Sequence, residues 1–577
     1  MQTFISILVV AVVLGLVSCS QMADENTKFE TLANQYIDQY LKFNPEQATA
    51  LGDHRYDHML YDYSPVGMVE ELSFQRTYRE SLKAIDITRL SDTNRIDLKI
   101  MQNAIEAAIF ELETLRSHEW DPLVYVPGHA IYSLLAREFA PLTGRLKNVK
   151  ARLMAIPALL EQAKANLNNP PKIHVETAIL QNAGTIGLIR DELNIFLKDA
   201  PGMQEEFRPI QKRVVEELEN YGVWLKEELL PNANGDFRIG DEKFRKKLRH
   251  TLDSELTLEE ILASAEADLA ESQQTMYEVA VPMYRDYYPK DSGAAALADK
   301  KQVIRKVLNR LSEERPNADN IVDLAREYLK ECNEFVIAEK LATMPTEPLQ
   351  IIVMPEYQRG VAVAYCDSPG PLDENAKTFY SISPPPENWD EQRVESFFRE
   401  YNNYMLRNLT VHEAMPGHYL QLAHSNKFKA PTMLRSIFMS GTFIEGWATY
   451  SEQLMVERGY GGPEVQMQQL KMRLRLIINA IIDQKIHTAG MTEQEAMNLM
   501  VNEGFQEDGE AAGKWRRACM SSTQLSTYYI GNIEINGLRK AYEAANGGEI
   551  NMQIFHDTAM SFGSPAAKYV SEMMGLQ

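Results

Sequence analysis

Residues 410–421 read "TVHEAMPGHYLQ". A His-Glu pair followed by another His points to a water-activating metal site. In the standard HExxH helix the two histidines lie one turn apart and the glutamate faces the water. Here the second histidine, His418, falls six positions after His412. On an unbroken helix six residues rotate by about 240°, which turns His418 away from His412. Met415, Pro416 and Gly417 fill the gap. Proline cannot continue the helical ladder and glycine accepts unusual backbone angles. The triplet therefore predicts a bulge that absorbs two residues and returns His418 to the metal face.

A hydrolytic zinc site needs three protein ligands, an open position and a carboxylate beside it. Downstream, "GTFIEGWATYSEQL" offers Glu445 and Glu452, seven residues apart. Two turns separate them, so spacing alone does not choose between them. Small residues around Glu445 (Gly441, Gly446, Ala448) allow close helix approach, which favours it as the ligand. Glu452 then reads as a partner of a ligand or as a solvated helix residue.

The site sits in a chain of 577 residues with 45% apolar and 24% charged residues, ordinary for a globular protein. The formal net charge of −22 argues against nucleic acid and is compatible with attracting cations. Phe4–Val17 is an apolar run too short to span a bilayer and suited to a signal segment. It ends in Leu-Val-Ser-Cys, which resembles the bacterial lipoprotein cleavage box. That resemblance implies a signal peptide at 1–18, a lipid anchor on Cys19 and a polar tether over 19–28. Ser20 after the cysteine favours the outer membrane, facing the periplasm. An ordinary secretory signal is the plainer alternative. Cys332, Cys366 and Cys519 are far apart and read as free thiols.

Apolar residues recur at helical spacing from Phe29 onward, and Asn44-Pro45 marks a second short helix ending near Gly52. Helical patterns dominate a region spanning 29–344. At 345–577 the composition changes: "LQIIVMP", "GVAVAYCD" and "TFYSISP" read as short strands. A long helix from "PPPENWDEQRVESFF" is expected to run directly into His412.

"TVHEAMPGHYLQ" followed by "EGWATYSE" resembles the bacterial family called domain of unknown function 885. "NPEQATALGDHRYD" at 44–57, "IIDQKIHTAGMTEQEA" at 481–496 and "TYYIG" at 527–531 resemble its other signatures. Members look like distant relatives of the gluzincin peptidases. The resemblance implies a mainly α, two-lobed zincin-like fold, with a small antiparallel sheet beside the metal-binding helix. It implies Zn2+ on His412, His418 and Glu445, with Glu413 as general base. Tyr528, or else His487, would steady the oxyanion, Arg517 would pair with a substrate carboxylate, and Asp483 would orient a ligand imidazole. On composition alone Tyr528 reads equally as core, His487 as a capping residue and Arg517 as half of an ion pair. Where relatives often carry Pro-Gly, this chain has Ser522-Thr523-Gln524. The expected activity is hydrolysis of short peptides in the cell envelope. The alternatives are a non-catalytic binding lipoprotein and a zinc amidase or esterase. The sequence does not specify an oligomeric state.

Overall fold

The structure is a computed structural model that describes residues 25–354, 363–373, 377–386 and 389–576. The expected signal segment and Cys19 lie outside the described residues. The tether expected over 19–28 is shorter at its end, because a helix over 25–43 has begun by Glu25. Glu25 is buried and accepts the Asp86 N–H at 2.9 Å, while Phe29, Ala33 and Tyr36 enter the core. Among the described residues no helix is long and apolar enough to cross a membrane.

Among the described residues the chain is mainly helical, with one small sheet. Core clusters run across residue 344. Phe244, Leu252 and Ile261 pack with Ile477, Ile481 and Ile530, and Met276 and Val307 pack with Met467 and Leu474. The helix Leu258–Tyr287, closed at its start by a Thr257–Glu260 capping box, lies along Gly462–Ala489. The latter is buried on most sides, so its polar residues Lys471, Arg475, Asp483 and His487 must find partners inside the protein.

The sheet contains β1 (Leu349–Val353), β2 (Ala364–Asp367) and β3 (Thr378–Ile382), in the order β1-β3-β2. It is mixed rather than antiparallel: β1 runs parallel to β3, and β2 antiparallel to it. Parallel neighbours need a long connection. The stretch between β1 and β3 supplies one and contributes β2 on its way. β3 is central, and β1 and β2 are the two edge strands.

The expected continuous helix into His412 is also two helices. Glu391–Glu400 ends where Tyr401 leaves helical geometry, and Glu400 turns inward to Lys471 (2.8 Å) and Arg475. Asn402 then accepts the N–H groups of Tyr404 and Met405 and starts α1, Asn403–Glu413. The elements that follow are α2 (His418–Ser425), α3 (Gly441–Glu457), α4 (Gly462–Ala489), α5 (Asp508–Met520) and α6 (Ser526–Ala545).

The N-terminal segment at 44–57 braces the connection between β2 and β3. Pro45–Leu51 is the short helix expected, and Gly52 ends it at φ 91°. A side chain on Gly52 would lie 2.4 Å from the Asp373 nitrogen, so glycine is required by contact as well as by conformation. Leu372 N–H bonds the Leu51 carbonyl at 3.0 Å. His54 lies between Asp57 and Asp373, 3.0 Å from each, and stacks on Phe139. Arg137 binds Asp367 at the end of β2 and the Ser368 carbonyl.

Candidate metal centre

The break between α1 and α2 brings the histidines together. α1 ends at Glu413, Ala414 leaves helical geometry, and α2 begins anew at His418. The chain is therefore re-started rather than bulged. Gly417 has a negative φ; its role is close approach. A Cβ there would lie 2.0 Å from the His412 carbonyl oxygen and 2.3 Å from that of Val411. Its N–H bonds the Val411 carbonyl at 3.0 Å. The Pro416 carbonyl receives hydrogen bonds from Trp447 Nε1 (2.9 Å) and Ser451 Oγ (3.2 Å), one turn apart on α3. One helix thus supplies Glu445 to the site and also holds the kink that aims His418.

The two imidazoles stand nearly perpendicular, with centroids 4.7 Å apart. Glu445 Oε2 is 3.7 Å from His412 Nε2 and 3.4 Å from His418 Nε2. One donor atom from each of the three residues lies within 4.8 Å of the others, and this is the only such ligand set among the described residues. Ligands held tetrahedrally at about 2.0–2.1 Å from zinc stand about 3.4 Å apart. The observed separations need only a small inward movement.

Three further features match a cation site. Glu445 Oε2 is buried without a hydrogen-bond partner. His412 Nδ1 is 2.7 Å from Glu452 Oε1, and Asn408 donates to the other Glu452 oxygen at 2.6 Å. With the proton on Nδ1, the Nε2 lone pair faces Glu445 Oε2. Two acceptors aimed at each other across 3.7 Å repel unless a positive charge, a proton on Nε2 or a metal ion, lies between them. Burial would lift the Glu445 carboxyl, but the two imidazoles outweigh it and hold it far below the usual carboxylate range. Burial would likewise lower His412, yet Glu445 and Glu452 raise it strongly. Two imidazoles with one carboxylate are a donor set that fits zinc. His418 Nδ1, in contrast, has no hydrogen-bond partner.

Glu413 is buried next to His412, and its Oε2 accepts the Cys366 N–H from β2 at 2.9 Å. The edge strand β2 therefore fixes this carboxylate, a contact that sequence spacing does not reveal. Tyr380 on β3 bonds Thr410 at 3.2 Å, tying sheet and α1 together one turn below.

The C-terminal candidates fall into two groups. Arg517 Nη2 donates to Gln524 Oε1 (2.8 Å) and to the Tyr528 hydroxyl oxygen (3.1 Å), and Gln524 Nε2 lies 3.4 Å from the same hydroxyl. Tyr528 is pushed up to about 12 by burial first and by Glu445 second. Gln524, which follows the Ser522-Thr523 departure, is thus part of this cluster. His487 and Asp483 do not join the centre. His487 is bonded through Nε2 to the Ser521 carbonyl and through Nδ1 to the Ile239 N–H, and it stacks on Phe244. Burial lowers it to about 4. Asp483 orients no imidazole. Its oxygens accept the Thr523 and Ser526 N–H groups and the Ser526 hydroxyl, securing the loop before Tyr528. Both lie on the buried α4, and backbone groups of adjacent loops occupy them.

The chain belongs to the family described as bacterial protein of unknown function (DUF885), which it matches over residues 45–574. Its fold is similar to that of a candidate lipoprotein of unknown function from Shewanella oneidensis. The TM-score is 0.79 and the identity 31%, covering 95% of this chain and 99% of the other. It is also similar in fold to a candidate lipoprotein from Colwellia psychrerythraea, with TM-score 0.77 and 18% identity over 96% and 99% of the two chains. A comparison with curated proteins finds no match.

Proposed function

We propose that this protein is a zinc-dependent peptidase of gluzincin type that hydrolyses short peptides in the cell envelope. The observation that carries the reading is the convergence of His412, His418 and the unpartnered Glu445 oxygen beside a fixed Glu413. His412, His418 and Glu445 would hold the ion. When bound there, zinc supplies Lewis acidity that polarises a carbonyl and acidifies water. The remaining steps belong to side chains. Glu413, held by the Cys366 N–H, takes a proton from the attacking water and delivers it to the departing amine nitrogen. The C–N bond breaks, the hydroxyl stays on the carbonyl carbon and the proton ends on the amine. Glu452 keeps His412 in one tautomer.

Tyr528 has the chemistry of an oxyanion donor. Its oxygen already receives hydrogen bonds from Arg517 and Gln524, so its own proton is directed elsewhere. Its raised affinity for that proton keeps the phenol neutral at ordinary pH. A preorganised donor of this kind typically contributes a factor of about 10²–10³ to turnover.

The Leu-Val-Ser-Cys box and the likeness to candidate lipoproteins support a lipid anchor on Cys19, with the enzyme facing the periplasm, and Ser20 favours the outer membrane. A cleft between two helical lobes would restrict entry to short or unfolded chains.

Elemental analysis together with cleavage of a mixed peptide library tests the function. The expected result is about one zinc per chain and, in Glu413→Gln, a fall in turnover of about 10²–10⁴-fold with zinc retained. Cleavage unchanged in Glu413→Gln would reject the mechanism. A zinc-loaded protein that cuts nothing would favour a binding protein.

A further inference from the structure

Two cations near the metal centre have no counter-charge of their own. Lys514 and Arg517 lie one turn apart on α5, and Glu510 precedes Lys514 by one turn on the same face. Glu510 is already committed: Oε2 accepts the Tyr401 hydroxyl at 3.0 Å, and Oε1 lies 3.6 Å from Arg475 Nη1. Arg475 and Lys471 also pair with Glu400. Those two carboxylates and two cations balance. Lys514 and Arg517 are left over. Among the described residues neither forms an ion pair, and the hydrogen-bond partners of Arg517 are the neutral Gln524 and Tyr528. Both side chains are half-buried, so solvent reaches them without fully hydrating them. Burial, reinforced by Arg517 and Arg475, outweighs Glu510 and Glu445 and draws the Lys514 ammonium down to about 7. Adjacent, partly desolvated cations in a chain of net charge −22 are stabilised by an anion that comes from outside.

The fold sets this pair beside the metal ligands. Gly446, next to Glu445, packs backbone to backbone on Gly531 of α6, where a Cβ would lie 2.4 Å from the Gly531 carbonyl carbon. Tyr528 is one turn before Gly531, and its hydroxyl is 3.1 Å from Arg517. Glu445 acts electrostatically on Tyr528, Arg517 and Lys514 alike.

We propose that Lys514 and Arg517 form the pocket for the free C-terminal carboxylate of a peptide, which makes the enzyme a carboxypeptidase that cuts close to that end. The inference rests on the hydrolase reading above. A guanidinium beside an ammonium matches a carboxylate in both shape and charge. Because Arg517 touches the hydroxyl assigned to the oxyanion, the terminus and the scissile carbonyl are recognised by neighbouring side chains. That favours a terminal carboxylate over an acidic side chain deep in a sequence.

The test is calorimetric binding to the metal-stripped full chain of three peptides: one with a free C-terminus, its C-terminal amide, and an amide carrying a glutamate next to its end. The free acid is expected to bind about tenfold or more tightly than the plain amide. Arg517→Gln and Lys514→Met should each narrow the difference and the double variant should abolish it, while Arg517→Lys retains part of it. Zinc uptake by each variant reports an intact fold, and the wild-type comparison stands whether or not the variants fold. Equal binding of acid and amide, a preference that survives the double variant, or tight binding of the glutamate amide would overturn the pocket. The two readings fail differently. Hydrolysis of acid and amide at equal rates removes the pocket and keeps the hydrolase. A strong acid preference with no hydrolysis keeps the carboxylate pocket and removes the hydrolase, and with it the carboxypeptidase assignment.

Discussion

His54 and His412 are both held by carboxylates, yet they are built for different ends. Each ring nitrogen of His54 is 3.0 Å from an aspartate, a complete pair of hydrogen bonds. His412 has such a bond on one side only, to Glu452 at 2.7 Å. On the other side Glu445 stops at 3.7 Å and its oxygen bonds nothing. The first arrangement is satisfied by protein alone and links the N-terminal segment to the sheet. The second is a set of potential metal-ligand atoms facing a shared gap, the place proposed for zinc. A histidine-carboxylate cluster is therefore read from what is left unpaired.

The comparison can be broken at the gap itself. Gly417→Ala would drive a methyl group into the Val411 and His412 carbonyls, and overpacking of this kind costs about 3 kcal/mol. Denaturant unfolding should show that loss, and zinc stoichiometry should fall, because His418 can no longer turn back. Native stability with full zinc in Gly417→Ala would refute the close-approach account of the kink.

A smaller effect is expected one shell out. Glu452→Gln leaves the three ligands in place and removes the charge that orients His412. Zinc affinity, measured by chelator competition, should weaken by about 10–100-fold. An unchanged affinity would mean that α1 packing alone fixes the ring.

The smallest effect belongs to His54. Burial would lower it, but Asp373 and Asp57 outweigh that and raise it from 6.5 to about 9. Its stabilisation is fully present below pH 6.5 and is lost as pH rises through about 9. His54→Gln should flatten the stability profile across that window and leave zinc content unchanged. A loss of zinc in His54→Gln would show that the brace and the metal centre are one unit.

Much of the site was legible because its information is local. His412, Glu413 and Pro416-Gly417 are adjacent in the chain, and Glu445 and Glu452 share one helix. The strands were legible from their β-branched and aromatic runs, and their mutual directions were not, because register depends on a connection that composition does not describe. The break at Tyr401–Asn402 is not legible because apolar spacing continues across it, and the partners that Glu400 meets beside it, Lys471 and Arg475, lie far along the chain. His487 and Asp483 carry plausible catalytic side chains, but only their neighbours show that loop backbone occupies them. Trp447 and Ser451 carried a faint signal, a turn apart on the face beside Glu445. Lys514 carried none.

The sequence by itself determined which side chains are candidate ligands, the helical character and the need for an interruption between the histidines. These follow from residue type and short-range geometry. Tertiary structure decided which carboxylate faces the gap, which backbone N–H fixes Glu413 and which cations remain unpaired. Each of those depends on groups distant in the chain meeting at hydrogen-bond distance, and no local pattern encodes such a meeting.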